Sequence, residues 1–273
     1  MAQGHVSSQE SPHHFDLGAE GTIFSKKKED NQINKFHEWK AEADYTYNLN
    51  SKIDLSAHVE YSENKISTNL NPDVNKARFV SSEISMSYNF LPTWSNDTVA
   101  KLEYAYASGV SMKDSKTYKI EDKLSKTFVS DIGDVTFGFQ GNYEKAFFDE
   151  SKWSWLASIK WSFDKVCFEI EGDDNDINAK VAYEMLDDLT LTAKYDQTSV
   201  SYLYSETEEV SMGHDLIGFE AEWNASESVS VMVGADYLYN GVTSLTAQDA
   251  AADASETALA KRIAFNAGFT VHF

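Results

Sequence analysis

The sequence predicts an all-β chain folded as a single antiparallel barrel of about fourteen strands. Three observations carry that prediction. Apolar and polar residues alternate through stretch after stretch, as they do along a strand whose two faces meet different surroundings. The connections alternate between tight turns and longer polar segments. Aromatic residues gather at the two ends of the apolar faces, with alanine and aliphatic residues between them. Two aromatic belts around an aliphatic band suit a membrane with two interfaces, whereas the middle of a soluble sandwich core needs large side chains. The expected architecture is therefore a transmembrane β-barrel. No apolar run approaches the roughly 18 residues of a membrane-spanning helix, and mean hydropathy is negative.

The leading segment, residues 1 to 13, is polar and expected to be flexible, with the barrel occupying 14 to 273. It lacks the basic and apolar blocks of a secretory signal, so such a signal is expected to have been removed. The first strand sets Phe15, Leu17, Ala19 and Ile23 against Asp16, Gly18, Glu20 and Thr22. The second, about 34 to 50, carries Trp39, Ala41, Ala43, Tyr45 and Tyr47 on its apolar face and Lys40, Glu42 and Asp44 on the other. After a turn at Asn50 to Lys52 the third opposes Ile53, Leu55, Ala57, Val59 and Tyr61 to Asp54, His58 and Glu60. A long polar connection, Ser62 to Asn75, follows.

The fourth strand places Val80, Ile84, Met86, Tyr88 and Phe90 opposite Glu83, and Pro92 occupies the turn after it, where a missing donor does no harm. The fifth sets Ala100, Leu102, Tyr104 and Tyr106 against Lys101 and Glu103. A third loop, Ala107 to Lys116, leads to the sixth strand, roughly Thr117 to Ser130, which is the least regular. Val135, Phe137, Phe139 and Tyr143 mark the seventh, and Trp153, Trp155, Ala157, Ile159, Trp161 and Phe163 mark the eighth, with Lys160 on its polar face. Asp164 and Lys165 turn the chain into a ninth strand whose polar face holds Glu169 and Glu171.

Past an acidic connection, Gly172 to Asp176, the tenth and eleventh strands place Lys180, Glu184, Lys194 and Asp196 opposite Val181, Tyr183, Leu191 and Tyr195. A long connection, Gln197 to Gly213, separates them from the twelfth and thirteenth, whose polar residues are Glu220, Glu222 and Asp236. Another, Gly241 to Thr257, leads to the last strand. There Ile263, Phe265, Ala267, Phe269, Val271 and Phe273 share one face and Arg262, Ala264, Asn266, Gly268, Thr270 and His272 the other.

Asn266, Gly268, Val271 and the terminal Phe273 follow the pattern polar-x-Gly-x-x-apolar-x-apolar. This resembles the C-terminal assembly signal of bacterial outer-membrane β-barrels, and implies handling of the last strand by the barrel-assembly machinery. The strand number, the alternation of short turns with long loops and the lack of a further domain resemble the monomeric outer-membrane porin G type. That resemblance implies residence in the bacterial outer membrane among its lipids, a monomer, and passive passage of small hydrophilic solutes and ions. Porin G is gated by its sixth loop and a lumen histidine pair. Here His214 has lumen parity, but its expected neighbours Leu238 and Asn240 are not histidines, so that pair does not carry over.

The polar face of every strand would line the lumen, and acids outnumber bases on it, which predicts a preference for cations. Over the whole chain 44 acids oppose 23 bases, for a net charge of -21, which argues against nucleic acid as a partner. Cys167 is the single cysteine, so neither an intramolecular disulfide nor a thiolate zinc site can form. No cofactor motif, catalytic set or metal-ligand spacing stands out. A hydrolase would have to use His214 and Asp215 with Glu206, Glu208 or Glu209, a group that reads more simply as a solvated acidic loop. Asp173, Asp174 and Asp176 lack the remaining ligands and the glycine of a calcium loop. The third class is a structural or adhesive barrel with a filled lumen, which about fourteen strands would leave too wide to fill with side chains alone.

Overall fold

The computed structural model describes residues 13–24, 36–66, 77–107, 110, 115–145, 151–172, 176–205, 208–247, 255–258 and 261–273. Its elements are all strands. The first seven are β1 (His13–Phe24), β2 (Phe36–Asn50), β3 (Ile53–Ile66), β4 (Ala77–Leu91), β5 (Trp94–Ala107), β6 (Lys116–Phe128) and β7 (Asp134–Lys145). They are followed by β8 (Ser151–Phe163), β9 (Val166–Gly172), β10 (Ile177–Leu186), β11 (Leu189–Ser205), β12 (Glu208–Ser226), β13 (Val229–Ala247), β14 (Ser255–Ala258) and β15 (Arg262–His272). From β1 to β14 each strand pairs antiparallel with its neighbour in sequence, and β15 pairs with β13 on one side and β1 on the other, which closes the sheet. The four-residue β14 pairs with β13 beyond the stretch that β15 covers, so both pieces belong to one stave and the barrel has fourteen.

Closure satisfies the backbone groups that an open edge would leave bare, which a wall surrounded by hydrocarbon requires. At the short-turn end the turns are also tied sideways. The carbonyls of Lys52, Thr93, Lys165, Asp188 and Ser228 each accept a hydrogen bond from a backbone N–H of an adjoining stave. Four of the short turns carry a register irregularity just inside them, at Asn48/Asn50, Asn89/Leu91, Glu184/Leu186 and Asn224/Ser226.

The alternation divides the wall into two faces. Along β15 the odd positions from Ile263 to Phe269 are exposed, while Ala264 and Asn266 are buried. Ring pairs flank the exterior at both ends. Trp39 lies 5.0 Å from Tyr61 and Tyr143 4.9 Å from Trp153 toward the long-connection end. At the other end Phe15 meets Phe273 at 5.8 Å and Trp161 meets Phe163 at 6.3 Å.

Three expectations are corrected. The sixth strand is regular through its thirteen residues, and its inward face holds Lys119, Glu121 and Lys123 while Tyr118, Ile120, Asp122 and Leu124 face out. Charge on both faces hid the period. The segment expected as a loop from Gln197 to Gly213 is mostly strand, because β11 and β12 continue as a paired hairpin with only residues 206–207 between them outside the description. Likewise β13 runs on to Ala247 where a loop was expected. The leading segment to residue 12, most of the third loop, Asp173, Asp174 and Glu206 lie outside the described residues.

Candidate functional site: the charged inner face

The register brings the residues expected to line the lumen together across the staves, on the strand face opposite the exposed apolar side chains. Asp16 opposes Asp44, Glu20 opposes Lys40, and Glu42 opposes Glu60. The row continues with His58 opposite Glu83, Glu83 opposite Lys101, and Glu103 opposite Ser81. Asp54 lies lower on β3, facing Asn48 and Ser87. On the far wall Lys160 opposes Glu169, Glu169 opposes Lys180, Lys180 opposes Lys194, and Glu171 opposes Ser158. Glu184 and Glu222 flank Thr190, Glu220 faces Thr192, Asp196 faces Leu216, and Asp236 faces Gly218. Arg262 opposes Leu238 at the long-connection end.

Opposite charges meet in several of these rows. Lys40 Nζ lies 2.8 Å from Glu42 and 3.2 Å from Glu60, and Lys101 Nζ lies 3.0 Å from Glu103. Lys194 Nζ stands 3.8 Å from Glu220 and 3.7 Å from the buried Asp236, whose other oxygen accepts a 2.6 Å hydrogen bond from Asn266 Nδ2. Glycine makes room at several of these positions. A side chain at Gly18 would strike the Glu42 carboxylate, and one at Gly218 would strike Asp236 and Lys194.

Sequence reasoning missed Asp97, which opposes Lys123, and the charged inward residues of β6, where Lys119 pairs with Glu121. Glu144, opposite Lys119, and Lys152, opposite Glu144, share that face and were missed as well, so acids and lysines join it together. The parity of β6 would have revealed its inward charges had Asp122 and Lys126 not put charge on its outer face as well. Asp122 accepts hydrogen bonds there from Asn96 Nδ2 at 2.9 Å and Thr98 Oγ1 at 2.8 Å.

The buried apolar residues are few and mostly small: Ala77, Phe79, Ala105, Ala107, Leu216, Leu238 and Ala264. They lie toward the long-connection end, where the far end of β11 pairs in parallel with β5 at Leu203 and Tyr106. Since β5 and β11 stand nearly opposite in the ring, that pairing carries the hairpin over the opening.

The hydrolase group is split by the fold. Leu216 and His214 share the inner face, whereas Asp215 is paired with Tyr239 and bonded to Gln197 Nε2 at 3.2 Å and Asn240 Nδ2 at 2.8 Å. In the last strand Asn266 and Gly268 face inward, Val271 opposes Leu17, and the Phe273 N–H donates to the Phe15 carbonyl.

No family model matches the sequence, and no curated protein matches it. Solved structures do match in fold. A TodX monoaromatic hydrocarbon channel variant aligns over 96% of this chain and 90% of its own at 8% identity, with a TM-score of 0.50. The KdgM porin aligns over 94% and 99% at 8% identity and a TM-score of 0.43. An outer membrane channel from Pseudomonas putida F1 aligns over 100% of both chains, again at 8% identity, with a TM-score of 0.45. At such identities the likeness is one of fold: this chain is a closed fourteen-strand antiparallel barrel of the kind found in outer-membrane channels.

Proposed function

We propose that this chain is a monomeric outer-membrane pore through which small hydrophilic solutes and ions diffuse passively, with cations preferred. The inner face carries the reading. Carboxylates and ammonium groups occupy adjoining staves all round the ring, and the described residues supply little apolar filling between them. Holding such charges dry costs several kcal/mol per ion, so this face calls for water. Its acidic excess, set on low-dielectric walls, concentrates cations. The exterior supports the lipid placement, with Phe219, Val233 and Phe269 all more than half exposed. Its outward polar groups are Asn96, Thr98, Asp122 and Lys126 near the short-turn end and residues such as Arg78, Lys145 and Asp215 toward the other, with apolar side chains between. The spacing of Asn266, Gly268, Val271 and Phe273 supports handling by the barrel-assembly machinery.

Reversal potentials in planar bilayers under a KCl gradient test the reading. Potassium is expected to be the faster ion, and the preference should fall when Glu220 and Glu222 are both changed to Gln. It should also weaken as salt rises, since the Debye length is about 8 Å at physiological ionic strength. Chloride as the faster ion at low salt overturns it. A second reading, a barrel whose mouth is shut, is favoured by the pairing of β11 with β5 over the opening. Under that reading the intact chain is silent in the same recording and conducts only once the β11–β12 tip is shortened.

A further inference from the structure

On the inner face of β2 and β3 the register sets Glu42 directly across from Glu60, with Asp44 across from His58 one pair along. One ligand atom from each of Glu42, His58 and Glu60 lies within 4.8 Å of the others. Adjacent ligands of a zinc ion stand about 3.3 Å apart at metal–ligand bonds of about 2.0–2.1 Å. The contraction required is small, and rotations of two glutamate side chains provide it. The imidazole is already aimed. Asp44 Oδ1 lies 2.6 Å from His58 Nδ1, and Nε2 lies 3.8 Å from Glu60, so the tautomer with its proton on Nδ1 would turn the Nε2 lone pair toward the carboxylates. A carboxylate behind a histidine is the usual support of a metal-bound imidazole. A cationic group also occupies the junction: the Lys40 ammonium sits 2.8 Å from Glu42 and 3.2 Å from Glu60.

We propose that Glu42, His58 and Glu60 form a binding site on the lumen wall for a divalent transition-metal ion of the zinc class, with Asp44 positioning His58 and the Lys40 ammonium as its internal competitor. One imidazole with two carboxylates suits zinc, nickel or copper, whereas calcium and magnesium take oxygen ligands alone. Three protein ligands on a wetted wall leave further positions to water. Binding would displace Lys40 toward Glu20, the residue opposite it on β1. The site requires access from solvent but not conduction, so its test stands apart from that of the pore.

Zn2+ is titrated calorimetrically into the barrel folded in detergent, and Co2+ is added in parallel for its visible absorption. Heat-modifiable gel mobility verifies that each variant is folded. One equivalent is expected to bind. His58→Gln and Glu60→Gln should each weaken binding at least tenfold, Asp44→Asn by about 10- to 100-fold, and Lys40→Met should tighten it. His272 also pairs with an aspartate, Asp16, but belongs to no group of three possible ligands among the described residues, so His272→Gln should leave the isotherm unchanged. Equal affinity in the wild type and His58→Gln overturns the proposal. So does the absence of both heat and cobalt spectrum in the wild type and Lys40→Met.

Discussion

Met232 and Val233 are neighbours in β13 that meet opposite surroundings. Val233 is 53% exposed on the outer face beside Ala221 and Ala267, while Met232 turns inward between Glu222 and Gly268. A lysine at the first position must keep its charge in hydrocarbon, at about 2–4 kcal/mol near mid-membrane. A lysine at the second reaches water and a carboxylate. Val233→Lys is therefore expected to lower stability by that amount in urea unfolding from lipid vesicles, with Met232→Lys close to the wild type. Equal losses would contradict the assignment of faces. The junction of Glu42 with His58 and Glu60 shows how fine this residue scale is. Counting from the pair Asn50 and Ile53 without interruption would set Glu42 opposite Tyr61, a carboxylate against an outward ring. The irregularity at Asn48/Asn50 resets the count and places it opposite Glu60. Which residues share a strand face was legible from parity, but which of them touch depended on a one-residue bulge that the sequence does not announce.

At the scale of the element, β6 carries the sharpest test of register, because its period is masked by charge. Nitroxides at Ile120 and Glu121 are expected to report lipid and water respectively, as collision rates with oxygen and with a polar nickel chelate; the reverse result would shift the strand by one residue. Strands such as β8 were plain from sequence because tryptophans and serines alternate without exception at their ends. β11 and β12 were legible only in their lower halves. Beyond them the ladder of backbone hydrogen bonds continues. The reach of the hairpin to β5 lay beyond sequence reading altogether, since a contact between Leu203 and Tyr106 leaves no periodic trace.

For the molecule as a whole, the alternation, the turn asymmetry and the even strand number were enough to specify a closed ring, because an unpaired edge in lipid has no satisfactory partner. The closing contact joins residues far apart in sequence: His272 bonds to Asp16, 256 positions away, and Phe269 stands opposite Ala19. Every other seam lies between consecutive staves. Such a distant seam makes the polypeptide a circle in all but covalency, and chain entropy says what sealing it would do. With Cys167 first changed to Ser, a disulfide between Ala19→Cys and Phe269→Cys should stabilise the barrel more than one between Ala43→Cys and Val59→Cys within a single hairpin. Loop-closure entropy predicts about 3 kcal/mol for a loop of ~15 residues and about 4.7 kcal/mol for ~100, with more for the still longer loop here. Equal gains in chemical unfolding would mean that the two ends stay together in the denatured chain. A larger gain at the seam would mean that the two ends separate in the denatured chain.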